Sequence, residues 1–170
     1  NSLFLTKTSI CTDIIATSNI KLSTWRFYFI LSKFPEMIDT LWIILKKRQL
    51  SVLHLWHHLT VSIYCWILVY STEFNEGGQG TYFAAMNSFV HMIMYLYYTI
   101  VTKSQFRSNT IAKSITLLQI IQMFIGISIH IYRSFNCDCK YLLELYSGYI
   151  IYGSYFYLFL RYYYYRYIVN

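Results

Sequence analysis

Charge is scarce in this 170-residue chain: 12% of residues are Asp, Glu, Lys or Arg, and only 7 are acidic. That scarcity excludes an ordinary soluble composition. A hydrophobic share of 56%, with 21% aromatic, makes lipid the expected solvent. The 19 tyrosines and 4 tryptophans fit the same setting, because amphipathic rings settle where hydrocarbon meets headgroups, although some simply fill a core. Lys and Arg outnumber acids, giving a net charge of +7, but they lie in short clusters between apolar runs. That is a membrane topology signal and not a nucleic-acid-binding one. No signal peptide is visible either, residue 1 is Asn, and Asn1 to Ile20 holds no uninterrupted apolar span. The expectation is a fragment whose upstream helices are missing.

A hydrocarbon core of about 30 Å takes roughly 20 helical residues to cross, and five stretches are long enough: 25–45, 50–70, 81–102, 114–133 and 141–162. The expected fold is therefore an all-α integral membrane protein, with a lumenal segment at 1–24 and a transmembrane domain at 25–170. Basic and acidic connections alternate. Lys46, Lys47, Arg48, Lys103, Arg107, Lys113, Arg161 and Arg166 fall on one side, and Asp13, Glu73, Glu76, Asp138 and Glu144 on the other. The positive-inside tendency puts the first side, and the C-terminus, in the cytoplasm. Cys11, Cys137 and Cys139 then face an oxidising compartment. A bridge from Cys11 to Cys139 is expected, although spacing alone leaves the partner open. Cys65 reads as core packing.

Polar and ionisable residues interrupt these spans: Lys33, Glu36, Asp39 and Thr40; His54, His57 and His58; Asn87, His91, Tyr95 and Tyr98; Thr116, Gln119 and Gln122. Each set has helical spacing, so each helix offers one polar stripe. Such groups inside a membrane usually face a bundle interior and mark function. At about 1.5 Å rise per residue, His57 lies on the order of 10 Å from the cytoplasmic end of its span, and the others fall at about 8–16 Å. One cavity open to the cytoplasm would collect them all. Taken singly, Asn87, Gln119 and Gln122 read as interhelical hydrogen-bond glue, and His91 and His130 as satisfied core histidines. Three histidines on one face within five residues are another matter.

The box His54-Leu-Trp-His57-His58 permits metal ligation or acid–base and nucleophilic catalysis. A metal-dependent membrane oxidoreductase of the desaturase or hydroxylase kind is the rival reading. It needs several such boxes, and the chain has 5 histidines in all. A transporter would need a polar path between both faces, whereas Ile63 to Val69 and Ile125 to Ile129 are nearly all apolar.

Four motifs together carry a family resemblance: Lys33-Phe-Pro-Glu36-Met-Ile-Asp39-Thr40; the HLWHH box; Asn87-Ser-Phe-Val-His91-Met-Ile-Met-Tyr95-Leu-Tyr-Tyr98; and Thr116-Leu-Leu-Gln119-Ile-Ile-Gln122. In this order they resemble the ELO family of very-long-chain fatty-acid elongases. The match runs from about Cys11 to the C-terminus, where Gly153-Ser-Tyr-Phe-Tyr-Leu-Phe resembles the family's last helix. The resemblance implies a seven-helix enzyme of the endoplasmic reticulum membrane, its last five helices present here as an elongase catalytic domain. It implies condensation of acyl-CoA with malonyl-CoA to 3-oxoacyl-CoA, CO2 and CoA, without a cofactor and alongside the reductases and dehydratase of the elongation cycle. The family's basic C-terminal retention signal is not evident after Tyr167. Subfamily features conflict: Trp56, Gly77-Gly78 and Gln122-Met123 look like elongases of saturated and monounsaturated chains, and Gln49 like the polyunsaturated branch.

Soluble condensing enzymes use cysteine, but Cys65 lies about 12 Å along the helix from His57, toward the wrong side. Following the resemblance, His57 takes the acyl group and His91 binds or activates the malonyl unit. His54 and His58 orient the ring and move protons. Asn87, Gln119 and Gln122 are neutral oxyanion donors, and Glu36 and Asp39 are hydrogen-bond partners of the histidines. Lys33, Tyr95 and Tyr98 line the substrate site. Lys46, Lys47 and Arg48 attract the phosphates of CoA.

Overall fold

The computed structural model describes residue 11 and residues 20–47, 49–70, 79–104, 108–137 and 142–169. Among them are α1 (Ile20–Leu45), α2 (Val52–Tyr70), α3 (Gln79–Ser104), α4 (Asn109–Asn136) and α5 (Leu142–Tyr164), followed by a π-helical turn at Tyr165–Val169. The described residues contain no strand. Helices occupy the five segments expected from hydropathy. α4 starts at Asn109 and not at 114, because Ser108 caps it: the Ser108 hydroxyl accepts from the Ile111 N–H at 3.3 Å. A polar first turn hides such a start from a count of apolar residues. Pro35 sits inside α1 and has no N–H to give to the carbonyl of Leu31.

Of the described helices, one, Asn109–Asn136, is long and apolar enough by composition to cross a membrane, an 18-residue stretch within it having a mean hydropathy of 1.7. α1, α2 and α3 carry polar stripes noted above, as does α4, where long apolar runs outweigh it.

Helix neighbours follow a closed circuit. α1 packs on α2 and α3, α3 on α4, α4 on α5, and α5 returns to α2. On each helix the buried positions recur at three and four residues: Lys33, Glu36 and Thr40 on α1; His57, His58, Val61 and Cys65 on α2; Tyr152, Tyr155 and Phe159 on α5. The apolar centre is Val61, Cys65, Ile120, Met123, Tyr155 and Phe159. The exterior is apolar too. Trp25, Phe34, Ile38 and Trp42 on α1, Leu117 and Phe124 on α4, and Ile150 and Tyr157 on α5 are all exposed.

Close contacts set the approach of α4 and α5. A Cβ at Gly148 would overlap the His130 ring, and one at Gly126 would meet the Tyr152 ring at 2.9 Å. His130 is buried, and its Nε2 lies 2.9 Å from the Leu145 carbonyl. It is packed as a core histidine, the role its sequence position implied.

The disulfide joins Cys11 to Cys137, with Cα atoms 5.4 Å apart, in place of the expected Cys11–Cys139. α4 ends at Asn136, so Cys137 is the residue held at the helix end, its N–H bonded to the Arg133 carbonyl. Cys139 lies outside the described residues.

Candidate active site

Inside the ring, α2 brings three imidazoles onto one face because positions 54, 57 and 58 are a turn or less apart. The His54 and His58 ring centres are 4.2 Å apart, and those of His57 and His58 5.3 Å. His91 comes from α3 and stacks against His57 at 6.5 Å with planes 24° apart. α5 supplies the remaining wall, with Tyr155 4.8 Å and Phe159 6.0 Å from His57. His57 is thereby 6% exposed.

A second layer holds these rings. Thr40 on α1 lies 3.0 Å from His54 Nε2. Lys33 is 1% exposed and donates to Glu36 Oε1 at 2.6 Å and to Asn87 Oδ1 at 2.7 Å, and the Phe29 ring lies under its ammonium. A buried ammonium is tolerable only when paired and hydrogen-bonded, and Lys33 is both. Glu36 Oε1 also stands 3.7 Å from His91 Nδ1. On the α2–α5 seam, the Thr60 and Tyr155 hydroxyls are 2.7 Å apart, Tyr155 being fully buried, and Trp56 Nε1 donates to Ser154 at 3.0 Å.

The space between the rings is a cavity of about 70 Å³ lined by His54, His57, His58, Asn87, His91, Gln119 and Gln122, with Val90, Met94, Met123 and Phe159. Through Met94, Gln119 and Phe159 it adjoins a chamber of about 760 Å³ at the end where α1, α3 and α5 finish. Four tyrosines, Tyr97, Tyr98, Tyr162 and Tyr167, share the chamber wall with Arg166, Ser108 and Asn109. The π-helical turn brings Arg166 and Tyr167 there, and the Tyr167 hydroxyl lies 3.4 Å from that of Thr116.

Most of the residues singled out from the sequence meet at this place, with some differences. Asp39 is not a histidine partner: it accepts from the Tyr95 hydroxyl at 2.8 Å, and Thr40 takes the place beside His54. Tyr95 packs on His91 at 5.9 Å, whereas Tyr98 belongs to the large chamber. Lys46 and Lys47 are exposed, with Lys46 lying on the Trp42 ring at 4.7 Å, and neither lines the chamber; Arg48 is outside the described residues. Arg166 takes that position instead. Sequence reading placed it only on the basic side, since nothing in the pattern announces the π-helical turn. Tyr155 and Phe159 were missed as well; their four-residue spacing on α5 was the available signal. Among the described residues, no three His, Cys, Asp or Glu side chains converge as a ligand set for a metal ion.

The family model described as the GNS1/SUR4 (ELO) family matches residues 2–170. The chain belongs to the GNS1/SUR4 family. Among GNS1/SUR4 relatives, very long chain fatty acid elongase 4 of Trypanosoma cruzi is 40% identical over 145 residues, 79% of this chain and 48% of that protein. Very long chain fatty acid elongase 3 of Homo sapiens is 38% identical over 162 residues, 90% of this chain and 56% of its own length. Very long chain fatty acid elongase 6 of Drosophila melanogaster is 32% identical over 167 residues, 94% of this chain and 52% of its own. The chain thus spans about half the length of the curated relatives it matches. No solved structure matches it.

Proposed function

We propose that the protein is a fatty-acid elongase of the endoplasmic reticulum membrane that condenses a long-chain acyl-CoA with malonyl-CoA, using His57 as the acyl acceptor. One observation carries the reading: His57 is a buried imidazole, walled by His58, His91, Tyr155 and Phe159, in a small polar cavity adjoining a large chamber. Names of relatives supply the substrate class; the buried imidazole supplies a nucleophile. An imidazole nitrogen of His57 forms a bond to the thioester carbon. The C–S bond breaks, its electron pair leaves on the CoA sulfur, and the proton given up by the acylated ring completes the thiol. Loss of CO2 from malonyl-CoA, bound beside His91, then yields the carbanion that bonds to the acyl carbon; the C–N bond breaks with its electron pair onto the His57 ring, which takes up a proton from solvent and is restored as neutral imidazole.

Exclusion of water favours this chemistry, because an acyl-imidazole hydrolyses readily in an open site. Membrane embedding is supported by polarity turned inside out: Lys33, Glu36, His57 and Asn87 are buried while Trp25, Phe34, Trp42 and Phe124 are exposed. We place all five helices across the bilayer, with the basic ends of α1, α3 and α5 and the large chamber toward the cytosol. CoA would enter there past Arg166. The 3-oxoacyl-CoA product requires reductases and a dehydratase as neighbours in the cycle.

The deciding experiment is incorporation of labelled malonyl-CoA into lipid by membranes carrying the full-length protein, wild type against His57→Ala, across several acyl-CoA lengths. Label should appear with wild type and vanish with the variant. Absence of product from well-expressed wild type with every acyl-CoA would overturn the elongase reading, and full activity of His57→Ala would overturn the nucleophile.

A further inference from the structure

Three neutral amides reach the small cavity: Asn87, Gln119 and Gln122. A thioester carbonyl attacked by His57 develops negative charge on oxygen, and an N–H aimed at that oxygen lowers the barrier. The three amides are not equally available. Asn87 is tied by its Oδ1 to the Lys33 ammonium, at 2.7 Å. Gln119 is half-buried and gives its Nε2 to the Met94 sulfur at 3.7 Å. Gln122 is different: it is 4% exposed, yet its Nε2 is buried without a hydrogen-bond partner among the described residues. An unmade hydrogen bond on a buried donor costs about 1–3 kcal/mol, and nearly all such groups in folded proteins are satisfied.

Gln122 shares the cavity lining with two residues in a similar state. His58 Nδ1 and His91 Nδ1, on the same cavity wall, are also buried without a hydrogen-bond partner. Residues from α2, α3 and α4 that line one small space therefore each carry a buried polar atom without a hydrogen-bond partner, His91 Nδ1 having Glu36 Oε1 at 3.7 Å. Lys33, the buried cation nearest to it, is neutralised by Glu36 at 2.6 Å, so an oxyanion formed there has no free ammonium to meet. A neutral N–H is the donor that this environment leaves.

We infer that Gln122 is a catalytic residue, its amide N–H donating to the acyl thioester's carbonyl oxygen as the His57 nitrogen bonds to the adjacent carbon. The inference rests on the elongase reading with His57 as nucleophile. As the carbonyl carbon becomes tetrahedral, its oxygen takes the negative charge and the bond from Gln122 shortens. As the C–S bond breaks and CoA leaves with the ring proton, the carbonyl re-forms and the bond relaxes. The contribution falls on the transition state and not on substrate binding, so its loss appears in kcat.

Membranes carrying the full-length protein would be given acyl-CoA without malonyl-CoA, and CoA release followed in a single turnover for wild type, Gln122→Met and His57→Ala. Gln122→Met keeps the shape and removes the donor; Gln122→Leu serves the same purpose where the methionine variant does not fold, as judged by detergent-extracted yield. The expected result is a rate constant lowered about 100- to 1,000-fold and an unchanged concentration dependence on acyl-CoA. A Gln122 variant that folds and releases CoA within about fivefold of the wild-type rate overturns the assignment, as does a loss confined to KM. Release by His57→Ala at the wild-type rate overturns the reading beneath it, whereas an inactive His57→Ala beside a normal Gln122→Met removes only the donor.

Discussion

Lys33 on α1 and Asn87 on α3, 54 positions apart, are joined by a 2.7 Å hydrogen bond at the heart of the ring. With Glu36 as the other partner of the ammonium, this contact ties α1 to the helix that carries His91. Lys33→Met would leave the Glu36 carboxylate buried and unpaired, a loss of about 3–5 kcal/mol. The double variant Lys33→Met with Glu36→Gln would be markedly less unstable than the single one, because no lone charge remains. Thermal unfolding in detergent measures both, and a double variant no better than the single would contradict the pairing.

Gly148 is the place where α5 comes closest to His130. Gly148→Ala would press a methyl into that ring and destabilise the protein by about 1–3 kcal/mol. Combining it with His130→Ala should relieve the overlap, so the two effects would be less than additive. Unfolding temperatures of the single and double variants test this directly.

The Cys11–Cys137 connection predicts unequal outcomes for neighbouring thiols. Cys139→Ser would keep the bridge, seen as protection of Cys11 from a maleimide until reductant is added. Loss of that protection in Cys139→Ser would restore the pairing expected from sequence.

At the chamber, Arg166→Ala should raise the KM for acyl-CoA about tenfold, the order of one charge-assisted hydrogen bond. Lys46→Ala and Lys47→Ala should leave it within about twofold. Steady-state kinetics with the variants in membranes separates the two groups.

The helices and the histidine face could be read from sequence, because both depend on local spacing alone. His54, His57 and His58 share a face wherever α2 lies, and Lys33 and Glu36 likewise on α1. What could not be read is which faces meet. Lys33 with Asn87, Thr40 with His54 and Asp39 with Tyr95 each join two helices, and pairing across a ring depends on rotation and height that no single helix records. The same limit hid Tyr155, whose apolar neighbours on α5 look like lipid-facing residues until α5 is docked against α2. Cys137 and Cys139 differ by two positions in a short polar stretch, and the helix end at Asn136 decided between them.

Ring closure has a consequence for the order of synthesis. The wall that Tyr155 builds against His57 comes from a residue 98 positions later in the chain. While a ribosome is still making α4, the imidazoles of α2, the Lys33–Glu36 pair and the free amide of Gln122 have no α5 to shut them away. Each partly made chain therefore carries these polar groups on an open flank. The polar lining is thus closed only when α5 docks, so that completing the last helix and completing the candidate active site are one event.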